Sequence, residues 1–79
     1  MVKIFDILRD GIIISAKYCV VGYKEQGFIS VNVSTEERVE WIAPEGEAGH
    51  PWFAHLVLRK LCKFKELYVL PSKAVVDVY

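Results

Sequence analysis

The chain has 79 residues, ten basic and ten acidic side chains and a formal net charge of zero. That length is enough for one domain, expected to span residues 1–79, and a neutral chain has no global field to draw in DNA, RNA or an anionic membrane. Hydrophobic residues make up 53% of the chain, slightly above the usual level of about 45–50%, so the protein either packs an efficient core or covers apolar surface in an oligomer.

In chain order, the first residues lack a signal-peptide pattern, because Lys3 and Asp6 interrupt them. The apolar run 11–22 is broken by Lys17 and is too short to cross a bilayer. A soluble, reducing, cytoplasmic setting is therefore expected. Residues 2–9 and 12–20 are rich in Ile, Val, Phe and Tyr, and Asp10-Gly11 between them predicts a hairpin with a two-residue turn. That turn would place Arg9 opposite Ile12, Ile7 opposite Ile14 and Phe5 opposite Ala16. One face would then carry Phe5, Ile7, Ile12, Ile14, Ala16 and Tyr18. The other would set Ile4 against Lys17, Asp6 against Ser15 and Leu8 against Ile13.

The polar segment 22–27 is bounded by glycines and reads as a loop. Residues 28–33 alternate, with Ile29, Val31 and Val33 on one face and Phe28, Ser30 and Asn32 on the other. Residues 38–43 repeat the pattern, with Val39, Trp41 and Ala43 inward and Arg38, Glu40 and Ile42 outward. The link Ser34-Thr35-Glu36-Glu37 joins them as a second hairpin. A loop follows over 43–51, containing Gly46 and Gly49, and Pro51 suits the first turn of a helix. The helix is predicted over 51–64 and a final strand over 74–78. The order β-β-β-β-α-β predicts an α+β fold. Two sequential hairpins form an antiparallel sheet, one helix packs on a face of it, and a C-terminal strand enters beside an existing one.

At about 100° per residue, Phe53, Ala54, Val57, Leu58, Leu61 and Phe64 fall on one broad arc, the expected core face of the helix. His55, Arg59, Cys62, Lys63 and Glu66 fall opposite. Trp52 and Leu56 join them there, one turn apart and flanked by Lys60 and Lys63. An apolar ridge with a basic rim has the composition of a protein contact. Trp52, Leu56, Arg59, Lys60 and Lys63 are therefore the expected partner-binding residues.

Other chemistries find less support. Cys19 and Cys62 are too few to staple a mini-protein. His55 and Cys62 share a helix stripe, but seven residues put them roughly 10 Å apart along the axis, beyond a direct hydrogen bond. His50, His55, the two cysteines and the glutamates show no metal-ligand spacing. No glycine-rich phosphate loop precedes a helix. The glutamates 36, 37, 45 and 47 lie in loops, where acids usually serve solubility. No catalytic, cofactor or metal residue is predicted.

The charges are unevenly placed. Five glutamates fall within 36–47 with only Arg38 as a base, while Arg59, Lys60, Lys63, Lys65 and Lys73 follow with only Glu66 opposing them. These two faces would be able to meet across a subunit contact. The expected function is a non-enzymatic binding or structural module that forms a homodimer or binds a protein partner through the outer face of the helix. The alternative is a nucleic-acid binder using the basic stretch 59–65 with Trp52 as a stacking group; the sheet shows no obvious exposed aromatic pair, Phe28 and Tyr18 being candidates of which Tyr18 is expected to pack inside. A thiol-dependent enzyme built on Cys62 is a third reading.

Overall fold

The hairpin periodicities of the sequence appear as five strands and one helix in the computed structural model, which describes residues 1–22, 25–44, 52–67 and 69–76. They are β1 (Val2–Asp10), β2 (Ile13–Val20), β3 (Gly27–Asn32), β4 (Glu37–Ile42), α1 (Trp52–Cys62) and β5 (Lys73–Val76). The strands form one sheet in the order β4-β3-β2-β1-β5, with every neighbouring pair antiparallel. The fold is α+β, as the element order predicts, and α1 packs on one face of the sheet. β5 closes the sheet within the same chain, pairing Val2 with Val76 and Ile4 with Ala74. Pro51 and the predicted strand positions 77 and 78 lie outside the described residues. No helix among the described residues is long and apolar enough to cross a membrane.

The first hairpin differs from its expected register. Asp10 pairs with Ile13 and Arg9 with Ile14, so the two-residue turn is Gly11-Ile12, one step later than Asp10-Gly11. Gly11 adopts φ +61°, a conformation that glycine takes without a steric penalty. The Arg9 side chain braces the turn, donating from Nε to the Gly11 carbonyl at 2.9 Å. Ile12, expected inward, is 52% exposed as a result.

A second irregularity corrects the rest of β1. The pairing shifts between Phe5 and Leu8, so Asp6 and Ile7 together face the single residue Ala16. This is a β-bulge, and Asp6 takes φ +52° to make it. The extra residue rephases the strand. Val2 and Ile4 before the bulge and Ile7 after it all point to the helix side and are buried. Ile4, expected on the outer face against Lys17, instead faces Tyr18 and is 1% exposed. Phe5, expected inward, lies on the outer face opposite Lys17. The Asp6 carboxylate sits 3.5 Å from the Lys17 ammonium on that outer face.

The second hairpin turns on Asn32. Its side-chain oxygen accepts from the backbone N–H of Ser34 and Thr35, and its carbonyl accepts from Glu36 N–H at 2.7 Å. Here too a residue is displaced from the ladder. Ser30 pairs with Glu40 but Val31 pairs with Arg38, so Val39 is bulged out. Val39 was expected inward and is 59% exposed. Trp41 keeps its expected inward position, with the Arg38 guanidinium 4.6 Å from its ring centroid.

The core lies between the sheet and α1. Ile14, Ala16, Tyr18, Ile29, Val31 and Val33 supply the sheet side. Ala54, Val57, Leu61 and Phe64 supply the helix side, with Phe53 and Leu58 partly buried beside them, as their arc predicts. Tyr18 is fully buried, and its hydroxyl accepts from Trp41 Nε1 at 2.7 Å, which ties β2 to β4 across β3. Gly27 lies between them, opposite Tyr18. A Cβ there would overlap the Tyr18 ring and Pro44, so the missing side chain makes room for the aromatic. Past Cys62 the backbone tightens to i→i+3 bonds, such as Phe64 N–H to the Leu61 carbonyl, and the α-helix ends before 64.

Candidate functional site

The outer side of α1 is narrower than its sequence suggests. Trp52, His55, Arg59 and Lys63 share that side and are exposed, Trp52 at 60%. Leu56 and Lys60, expected beside Trp52 on the ridge, lie on the flank that dips toward the sheet and are half-buried. The Lys60 ammonium reaches within 6.0 Å of the Phe64 ring centroid, its stem covering apolar surface while its head stays near water. The expected partner-binding residues therefore divide. Trp52, Arg59 and Lys63 face outward, and Leu56 and Lys60 form a shoulder.

The opposite flank of the helix carries a correction. Cys62 was expected on the outer side, yet it is buried, next to Leu58. Both border a shallow cavity of about 670 Å³. His55, Arg59 and Lys63 form its upper rim, Lys65 and Glu66 close its C-terminal end, and Glu36 enters from the β3–β4 turn. One acid of the 36–47 run thus reaches the basic helix end within the same chain. Burial pushes the Cys62 thiol up, Glu36 adds to that effect, and Lys65 partly offsets it. A thiol held protonated is the reverse of an activated nucleophile.

The two cysteines are free and sit on opposite sides of the sheet. Cys62 faces the core from α1, while Cys19 pairs with Lys3 on the outer face of β2. Among the described residues no three His, Cys, Asp or Glu side chains are placed to hold a metal ion. Glu45, Glu47 and His50 lie outside them.

The outer face of the sheet is a surface the sequence reading did not assemble. It lies opposite α1. One register row crosses all five strands as Ile42, Phe28, Lys17, Phe5 and Lys73. The adjoining row toward the strand ends is Cys19, Lys3 and Val75. On the other side come Glu40, Ser30, Ser15 and Leu8, then Glu37, Asn32, Ile13 and Asp10. Phe5 and Phe28 are half-buried, and neither belongs to the core cluster. The signal for this surface was the alternation itself. It misassigned Phe5 because the bulge at Asp6 is invisible to a strict period of two. Comparison with protein-family models, curated proteins and solved structures finds no match to this chain.

Proposed function

We propose that the chain is a small non-enzymatic binding or structural module that self-associates through the outer side of α1. The observation that carries this reading is Trp52, 60% exposed at the start of the helix, on the same side as Arg59 and Lys63. An indole left in water wastes a large apolar area, and Trp and Arg are the residues that anchor interface centres. Leu56 at the shoulder extends the apolar patch. The chain also supplies the complementary charge, since Glu37 and Glu40 on β4 are exposed. A second copy can set those acids against Arg59 and Lys63, which favours encounter and fixes orientation more than it adds affinity.

Two other readings have less behind them. A nucleophilic Cys62 would need a lowered thiol pKa, and burial raises it. Nucleic-acid binding through 59–65 is opposed by Lys60 lying over Phe64 and by Glu36 and Glu66 beside Arg59, Lys63 and Lys65. Sedimentation of the full chain tests the proposal. The expected mass at high concentration is twice the 9.0 kDa of one chain, falling toward one chain in Trp52→Ala and, to a lesser degree, in high salt. A mass of one chain at every concentration and salt overturns self-association.

A further inference from the structure

The centre of the outer face of the sheet, away from Glu37 and Glu40 on edge strand β4, has the wrong anatomy for an interface between proteins. Such interfaces concentrate apolar side chains at the centre, deplete lysine there and place charge at the rim. Here the order is reversed. Lys17 stands at the middle of the sheet on β2, with Ser15 and Ser30 beside it. The large exposed apolar groups of this face lie away from that centre: Ile42 on edge strand β4, Val75 on edge strand β5, and Leu8 near the end of β1. A second sheet packed on this face would have to bury an ammonium at its centre.

The face is also polarised along the strands. Lys3, Lys17 and Lys73 occupy the half away from the two hairpin turns, and Asp10, Glu37 and Glu40 occupy the half near them. Among the described strand residues, the one acid within the basic half is Asp6, which is partnered with Lys17 while both remain more than half exposed. Within the basic half, lysines alternate with aromatic rings in a single row, Phe28–Lys17–Phe5–Lys73. Two strand spacings separate the Phe28 and Phe5 backbones, about 10 Å. Stacking rings interleaved with cations on an open sheet meet the two needs of unpaired nucleic acid. The rings offer faces for bases, and the ammonium groups neutralise the phosphates that link them.

We propose that the face of the sheet opposite α1 binds single-stranded nucleic acid, with a base stacked on each of Phe28 and Phe5 and the intervening phosphate held over Lys17. Lys3 and Lys73 flank the path. The Phe28–Lys17–Phe5–Lys73 row is separate from the basic stretch on α1, from the side of α1 assigned to self-association, and from Glu37 and Glu40 in the other half of the face. It is also compatible with a neutral chain, because the positive field is local to half of one face.

The test is titration of the full chain with labelled oligothymidylate, oligouridylate and a duplex of equal length, across roughly 50 to 200 mM salt. The single strands are expected to bind more tightly than the duplex. Affinity should fall with salt at a log–log slope of about −2 for three lysines. Phe5→Leu and Phe28→Leu keep the apolar volume while removing the stacking face, and each should weaken binding by about 5- to 100-fold. Lys17→Glu should weaken it further, and circular dichroism of each variant should match the parent. The proposal is overturned if no strand binds at low salt, if the duplex binds equally well, or if the leucine variants bind like the parent. Loss only in Lys60→Glu plus Lys63→Glu overturns it too, because binding would then lie on the helix.

Discussion

The two faces of the sheet come from the same five strands, yet they differ in kind. The helix side is continuous hydrocarbon from Val76 on β5 through Ile4, Tyr18 and Ile29 to Trp41 on β4, and its polar atoms are paired, as in the bond from Trp41 to Tyr18. The open side alternates charge and ring, so no apolar stretch of it runs across more than one strand at the centre. The contrast separates residues that stabilise the fold from residues that are available for contact. Phe5 looks like a core residue in the sequence, but it lies with Phe28 on the side the core does not use.

Substitutions can break or sharpen that contrast. The largest effect should come from Leu61→Ala, which empties a fully buried site at the centre of the helix contact. Chemical denaturation should show a loss of about 2–5 kcal/mol, enough to unfold much of a domain whose core rarely supplies more than about 3–5 kcal/mol. Leu8→Ala on the open face should stay within about 0.5 kcal/mol. Equal losses at the two sites would erase the distinction between the faces.

Gly27→Ala comes next, with an expected cost of about 1–3 kcal/mol as the new methyl group forces the Tyr18 ring aside. Because that ring holds Trp41 by a hydrogen bond, the loss should be accompanied by a change in tryptophan emission. An unchanged midpoint and spectrum would mean that the ring does not depend on the absent side chain. Asp6→Val should cost about 1 kcal/mol, since a β-branched residue resists the positive φ of the bulge, whereas Asp6→Gly should be tolerated. If valine were tolerated equally, the bulge would not be what phases β1.

The smallest effect concerns the two thiols. The folded chain keeps Cys62 protonated to higher pH than the unfolded chain does, because burial raises its pKa. Stability should therefore be full below the ordinary thiol value of about 8.5 and decline as pH rises through that value toward the raised one. Cys62→Ala should flatten the decline. Alkylation near neutral pH should modify Cys19 on the open face before Cys62 in the core, and the reverse order would restore the thiol-enzyme reading.

Much of the architecture was legible because burial leaves a period in the chain. The alternation Ile29-Val31-Val33 and the arc Ala54-Val57-Leu61-Phe64 both mark the core directly. Misreadings arose where one residue was inserted into a ladder. The bulges at Asp6 and Val39 each shift the phase by one, so Ile4, Phe5 and Val39 exchange sides relative to a strict alternation. The later turn at Gly11-Ile12 has the same consequence for Ile12. On the helix, Cys62 and Leu56 were misjudged because an angular wheel has no neighbours on it. The turn carrying Glu36 and the flank above Phe64 decide which sides of α1 are covered.

Composition and local pattern by themselves determined the element types, their order, the α+β class and the residues of the core face of α1. These follow from short-range sterics and from the cost of leaving apolar side chains in water. Tertiary structure alone decided the register of β1, the pairing of β5 with it and the assembly of Phe28, Lys17, Phe5 and Lys73 into one row. Those four residues are scattered along the chain from Phe5 to Lys73, a span of 69 positions. Only hydrogen-bonded pairing between distant strands, with a bulge to set its phase, can bring them side by side.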